Sequence, residues 1–256
     1  MLLEQLKNNS FSKLYRVYDK GSPKVIKIYK KNQYFDLNCP TPLKSHQKNL
    51  NVFFKGQLTV KHQVISDQIL KIDLIKGYQQ PTINNFFLKS LKNFQIAFKK
   101  IHKLKVKENI VSLSIKVNQH IELLSKEPLF KKFKINSNKV KKYIEAYEQN
   151  TFCHGDLHFE NIFINKKNCI FIDWDYCTMS TAGYDLAMLC YLENFNKKQI
   201  EQLALATNIN VKEIEHYIPI AMLLEFFYQL QLSKLSGKSL NLKPFKKIKS
   251  FLPYIT

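Results

Sequence analysis

Residues Phe152 to Tyr176 read FCHGDLHFENIFINKKNCIFIDWDY, and this stretch decides both the fold and the chemistry. Ile162-Phe163-Ile164 is a short apolar run, the polar turn Asn165 to Asn168 follows, and Cys169 to Ile172 is apolar again. Two such runs around a polar turn predict a β-hairpin. Asp156 and Asn161 precede it and Asp173 follows it, so the hairpin would return Asp173 beside the loop holding the other two. Two carboxylates and an amide at one point suit phosphoryl transfer, which asks a protein mainly for positioning and charge neutralisation. One carboxylate would take the proton of an acceptor hydroxyl. The amide oxygen and the second carboxylate are hard donors of the kind that Mg²⁺ accepts.

His154, Asp156 and Asn161 also reproduce the spacing H-x-D-x-x-x-x-N of protein-kinase catalytic loops. With FIDWDY and Gly183-Tyr184-Asp185-Leu186-Ala187, the chain resembles the aminoglycoside phosphotransferase and choline kinase superfamily, which includes choline, ethanolamine and thiamine kinases. Asp173-Trp174-Asp175 stands where protein kinases have Asp-Phe-Gly. Residues 152–189 carry most of the resemblance and residues 10–104 the next share. It implies an α+β, protein-kinase-like fold of two lobes, a β-rich lobe over residues 1–76 and a helical lobe over residues 77–256. It also implies ATP as co-substrate, Mg²⁺ as cofactor and a small alcohol as acceptor.

By the same resemblance Asp156 is the catalytic base, Asn161 and Asp173 are metal ligands, and His154 and Asp185 support the catalytic loop. Asp175 is left between an acceptor contact and a second metal contact. Lys27, the cation inside the apolar run Val25-Ile26-Lys27-Ile28-Tyr29, would meet the nucleotide phosphates. The glutamate expected to pair with it is missing, since no Glu occurs between Glu4 and Glu108. Gln47 is the best positional match, its amide able to hydrogen-bond Lys27, and Asp36 is a weaker candidate. The segment from Leu74 through Lys76 to Gly77 falls at the inter-lobe hinge, where backbone groups address adenine. The turn that would cover the phosphates, Asn9 to Lys13, contains no glycine, and the chain has neither GxGxxG nor a P-loop.

The 256 residues carry a net charge of +20, which invites a nucleic-acid reading. Arg16 is the lone arginine among 40 basic residues, however, and arginine is the residue for bidentate phosphate and base contacts. Specific nucleic-acid binding is therefore not expected. From Glu145 to Glu225 there are 12 acidic and 5 basic residues, so the stretch with the catalytic pattern is the acidic part of a basic protein. An acidic cleft attracts Mg²⁺ and a cationic alcohol such as choline or thiamine; a solvated acidic helix face around Glu193 to Glu215 accounts for part of the count.

Five cysteines with no C-x-x-C pair fit reduced thiols, and MLLEQLKNNS has no secretory pattern, so the expected location is the cytoplasm. The most apolar helix candidate, Ile218 to Leu232, is too short to span a bilayer.

Along the chain, residues 1–9 read as a short amphipathic helix or arm. Lys13–Tyr18 with Lys24–Tyr29, and Val60–Ser66 with Gln68–Leu74, read as hairpins. Leu88–Leu104 reads as a helix whose His102 is structural, Pro128 marks a loop, and two helices fill residues 197–237. Met222, Leu223, Phe226, Phe227 and Leu230 lie at core spacing, while Glu225 and Tyr228 stay open as acceptor contacts.

Two other classes use the same residues. A metallohydrolase would gather His154, Asp156, His158 and Asp173 around an activated water, though it needs further histidines on separate strands. A pseudokinase or scaffold would bind nucleotide without turnover, consistent with the missing glutamate and glycines. The reading favoured is a kinase acting on choline or ethanolamine, with thiamine and aminoglycoside-type acceptors as alternatives.

Overall fold

The computed structural model describes residues 4–8, 11–19, 21–32, 43–106 and 110–237. They form an α+β protein in two compact units, residues 1–110 with 158–176 and residues 111–157 with 177–256.

The first unit is built on a five-stranded antiparallel sheet of β1 (Glu4–Asn8), β2 (Ser12–Asp19), β3 (Ser22–Tyr29), β4 (His62–Ser66) and β5 (Ile69–Asp73), in the order β1-β2-β3-β5-β4. The alternation around Asp19 to Pro23 makes the expected hairpin of β2 (Ser12–Asp19) and β3 (Ser22–Tyr29), with Gly21 in the left-handed region at φ +78°. The second hairpin is β4 (His62–Ser66) with β5 (Ile69–Asp73). β3 is central, pairing β2 on one side and β5 on the other, and it is the strand that carries Lys27. Instead of a helix or arm, Glu4–Asn8 forms an edge strand, β1, with all five residues exposed. Pairing to β2 decides its conformation, which its own residues do not.

Helix α1 (Leu43–Lys55) buries Leu50 and Phe53. The predicted helix over residues 88–104 begins earlier and in a different geometry, as a π-helical segment Phe86–Ser90 that runs into α2 (Leu91–Ile101). Phe94, Ala97, Phe98 and Ile101 form its buried stripe at helical spacing. The hairpin expected around Asn165 to Asn168 is β7 (Ile162–Ile164) with β8 (Cys169–Phe171), in register Ile162 to Phe171. Aromatic rings join these pieces: Phe94 packs edge-on to Phe171, and Phe53 stacks on Trp174 with ring centroids 4.3 Å apart.

The second unit is mainly helical. Ser112 caps α3 (Leu113–Leu124) and Asn136 caps α5 (Ser137–Ile144), each through a side-chain oxygen that accepts a first-turn amide. Pro128 does not mark a loop. It sits in the first turn of a short helix, α4 (Pro128–Phe133), where the missing N–H costs no hydrogen bond. A small antiparallel pair, β6 (Thr151–Cys153) and β9 (Thr178–Ser180), precedes α6 (Ala182–Leu192). Asn196 and Gln199 form a capping box on α7 (Lys197–Thr207), and α8 (Val211–Ser236) ends at Gly237 in the left-handed region. Leu223, Phe226, Phe227 and Leu230 of α8 are core residues, whereas Met222 is half-buried.

Among the described residues no helix is long and apolar enough to cross a membrane. The four described cysteines are free thiols.

Candidate active site

In the second unit, β6 delivers the chain into the loop His154-Gly155-Asp156. Gly155 takes φ +83°, a conformation that a side chain resists. Asp185, fully buried near the start of α6, holds this loop by its main chain. One carboxylate oxygen accepts the His154 amide and the other the Gly155 amide, both at 2.9 Å. The Tyr184 hydroxyl donates to the Gly155 carbonyl at 3.2 Å. Burial, reinforced by the Asp185 charge, pushes that phenol well above its usual range.

The buried His154 accepts the Asp156 amide on Nδ1 at 3.3 Å, which leaves the ring proton on Nε2. His154 thus shapes the turn that carries the half-buried Asp156. Glu213 of α8 adds a brace that the sequence did not signal. Its carboxylate accepts the Gly183 amide at 2.9 Å, and a Cβ on Gly183 would lie 2.6 Å from the same carboxylate.

In the first unit, the 3₁₀ turn Phe159–Asn161 precedes β7, and a second 3₁₀ turn, Trp174–Tyr176, follows β8. The Ile172 amide donates to the Asn161 carbonyl at 3.0 Å, so the hairpin does bring Asp173 back beside Asn161. Asn161 is buried at 5 % exposure. Asp173 sits at φ +62°, which a residue other than glycine keeps only where its surroundings impose it. Trp174 imposes part of that constraint: it is buried against Phe53, and its indole N–H donates to the Phe171 carbonyl at 3.2 Å.

Lys27 reaches this turn across 146 residues of sequence. Its ammonium donates to Asp173 Oδ1 at 2.7 Å and to Asp175 Oδ2 at 2.6 Å. The Tyr29 hydroxyl donates to Asp175 Oδ1 at 2.8 Å, and the Tyr29 ring centroid lies 4.8 Å from the ammonium. Burial works against the Lys27 charge, but the Asp173 and Asp175 carboxylates outweigh it and hold the group well above its ordinary range. Burial raises Asp175 to about 6 against the opposing pull of Lys27.

Gln47 does not pair with Lys27. Its Oε1 accepts the Val64 amide at 2.6 Å, and its Nε2 donates to the His62 carbonyl at 3.2 Å and to Asn51 at 3.0 Å. The strand edge of β4 lies within its reach and outbids the lysine, which two carboxylates already satisfy. Asp36 and the first part of the Asn9–Lys13 turn lie outside the described residues.

At the expected hinge Leu74 is half-buried, Lys76 is exposed and Gly77 takes φ +73°. The following Gln79 exchanges two backbone hydrogen bonds with Ile164, at 2.8 and 2.9 Å, which strap this segment to the hairpin of β7 and β8. Sequence reasoning missed Tyr29 and Gln79. The two-residue step from Lys27 to Tyr29, which puts both on one face of a strand, was a usable signal for the first; the second had none.

For a divalent ion the donor chemistry fits. Asp173 and Asn161 supply oxygen atoms from neighbouring backbone positions, as a hard cation requires.

Residues 118–211 match the model of the phosphotransferase enzyme family. A LicA homologue of Metamycoplasma hominis is 27% identical over 210 residues, covering 77% of this chain and 76% of the relative. Among solved structures, choline kinase LicA of Streptococcus pneumoniae superposes with a TM-score of 0.75 at 16% identity, over 99% of this chain and 94% of that one. An ethanolamine kinase of Plasmodium vivax gives 0.74 at 15% identity, over 97% and 81%. The fold is therefore protein-kinase-like, as the sequence implied.

Proposed function

We propose that the chain is a member of the aminoglycoside phosphotransferase and choline kinase superfamily, which the family match over residues 118–211 and the LicA homologue support, and that it transfers the γ-phosphoryl group of ATP to the hydroxyl of choline or ethanolamine. The observation that supports this reading most directly is the meeting of Lys27 with Asp173, at 2.7 Å. A buried strand lysine has no packing reason to seek the end of a distant hairpin. A lysine that addresses phosphates and a carboxylate that holds their metal have such a reason.

In the proposed mechanism, the Asp156 carboxylate takes the proton of the acceptor hydroxyl, on a loop that His154 and Asp185 hold in shape. Lys27 orients the nucleotide phosphates, and backbone groups of the segment from Leu74 to Lys76 address the base. Asn161 and Asp173 would hold Mg²⁺, which would supply charge neutralisation at the phosphates. The fold would divide this work between a lobe of residues 1–76, over the nucleotide, and a lobe of residues 77–256, with the acceptor. The acidic balance between Glu145 and Glu225 favours a cationic alcohol. The cytoplasm, where ATP is available, is the proposed location.

Mg-ATP turnover over a panel of choline, ethanolamine, thiamine and an aminoglycoside tests this. Turnover highest with choline or ethanolamine supports the reading, and preference for thiamine or the aminoglycoside replaces the acceptor. Nucleotide binding without turnover on any alcohol replaces the kinase with a scaffold, and zinc-dependent hydrolysis replaces it with a metallohydrolase.

A further inference from the structure

We propose that Asp175 is a positioning residue for Lys27, in place of the acid that α1 lacks. The inference rests on the phosphotransferase reading and deepens it. Helix α1 reads LKSHQKNLNVFFK and has no Asp or Glu, and its Gln47 is committed to β4. Helix α1 therefore offers the lysine no carboxylate, yet its ammonium contacts two carboxylates from the turn after β8.

Those carboxylates differ. The Asp173 side chain is 37% exposed, whereas that of Asp175 is 11% exposed, close to the 9% of Lys27 itself. Both oxygens of Asp175 are engaged by the protein, Oδ2 by Lys27 and Oδ1 by the Tyr29 hydroxyl. Tyr29 follows Lys27 by two residues on β3 and so shares its face of the strand. Lys27, Tyr29 and Asp175 therefore form a closed triangle: one strand supplies the cation and the hydroxyl, and the turn supplies the anion that binds both.

A triangle of this kind sets the direction of the ammonium, which a flexible four-carbon stem does not set by itself. Asp173 is the more accessible carboxylate, suited to exchanging its lysine contact for a metal. Asp175 is the retained counter-ion, and with both oxygens occupied it is poorly placed to be a second metal ligand or an acceptor contact.

The test measures Mg-ATP affinity by titration calorimetry and KM and kcat by turnover, on the full chain. The proteins compared are the wild type, Asp175→Asn, Asp175→Glu, Tyr29→Phe, Lys27→Ala and the Lys27→Ala/Asp175→Asn double variant. Asp175→Asn keeps the shape and loses the charge, and is expected to weaken nucleotide binding about tenfold, the scale of one charge-assisted contact. KM should rise in parallel and kcat should change less. Asp175→Glu should recover part of the affinity. Tyr29→Phe, which removes only the hydroxyl, should weaken binding about two- to fivefold, within the range of a single hydrogen bond. The double variant should bind no worse than Lys27→Ala alone, because Asp175 acts through the lysine.

Additive losses in the double variant overturn the inference. So does an Asp175→Asn protein with unchanged nucleotide affinity, reduced kcat and a raised Mg²⁺ requirement, which would make Asp175 a metal ligand. A wild-type protein without affinity for Mg-ATP overturns the phosphotransferase reading itself and this inference with it.

Discussion

Asp185, which is buried, and Asp175, whose side chain is 11% exposed, both have both carboxylate oxygens engaged, but they hold different kinds of object. Asp185 binds two main-chain amides of the His154–Asp156 loop and so fixes the path of the backbone. Asp175 binds two side-chain donors, the Lys27 ammonium and the Tyr29 hydroxyl, and so fixes the direction of a cation. The first arrangement is rigid because main-chain donors have nowhere else to go. The second holds a flexible cation at one carboxylate, Asp175, while the contact of that cation with the more exposed Asp173 can be exchanged for another anion. A phosphotransferase needs both: a base that does not move and a phosphate ligand that responds to its substrate.

The sharpest way to break this comparison lies on the rigid side. Asp156→Ala is expected to lower turnover by about 10²–10⁴-fold, the usual contribution of a positioned base, with little change in Mg-ATP affinity. Steady-state kinetics and a nucleotide titration on one preparation separate the two quantities. Turnover that is unaffected would remove Asp156 from the base role and leave the loop without a catalytic purpose.

Next in size is the brace itself. Asp185→Asn keeps one acceptor oxygen but turns an NH₂ toward the other loop amide, so one buried donor loses its partner and the remaining bond loses its charge. A cost of about 1.5–3 kcal/mol in urea unfolding is expected, the range for hydrogen bonds to a charged group. A loss below about 0.5 kcal/mol would show that the loop keeps its shape without Asp185. The structure would then offer no difference in rigidity between the two carboxylates.

The histidines around Lys27 sharpen the other side. Burial lowers His46 to about 4, with smaller contributions from the charges of His62 and Lys27, and burial likewise lowers His62 to about 4. His120 in the second unit is lowered to about 4, again by burial first. These groups are neutral when folded and bind protons more readily when unfolded, near the ordinary value of about 6.5. Stability is therefore expected to be fully present above about pH 6.5 and to fall as the pH drops toward 4. Neither ring nitrogen of His46 has a hydrogen-bond partner, so the side chain contributes to the acid loss without a compensating bond. His46→Leu should raise stability at pH 7 by about 1 kcal/mol and make the acid limb shallower. Denaturation at pH 7.5, 6 and 5 checks both, and an unchanged slope would locate the acid sensitivity elsewhere.

The contrast between the two carboxylates also explains what the sequence disclosed. The hairpin from Ile162 to Phe171 and the Asp173 return were legible because alternation and a polar turn determine them locally. Asp185 was read as loop support through the resemblance alone, since its own position says only that a carboxylate lies near a helix start; the bonds to the His154 and Gly155 amides come from the fold. The partner of Lys27 was not legible. It depends on a sheet that places β3 centrally and on a turn 146 residues on, and neither has a periodicity that names the other. The expectation of Gln47 came from searching the next helix for a glutamate substitute. The edge strand β1 and the short helix at Pro128 were missed for a related reason, since pairing and capping decided them against weak local preference.

The smallest expected effect tests that error directly. Were Gln47 a neighbour of Lys27, Gln47→Glu would supply the missing acid and tighten nucleotide binding. In the structure, Gln47 Oε1 already accepts the Val64 amide, and Nε2 donates to the His62 carbonyl. A glutamate keeps the first contact, loses the two that Nε2 donates, of which the exposed one to Asn51 passes to water, and sets a carboxylate oxygen against the His62 carbonyl. Gln47→Glu should therefore cost about 0.5–1.5 kcal/mol of stability, the value of one neutral hydrogen bond, and leave Mg-ATP affinity within about twofold. Tighter nucleotide binding would mean that the glutamate reaches Lys27 after all. The lysine would then take its direction from the helix as well as from the turn, and the division of labour between Asp185 and Asp175 would need redrawing.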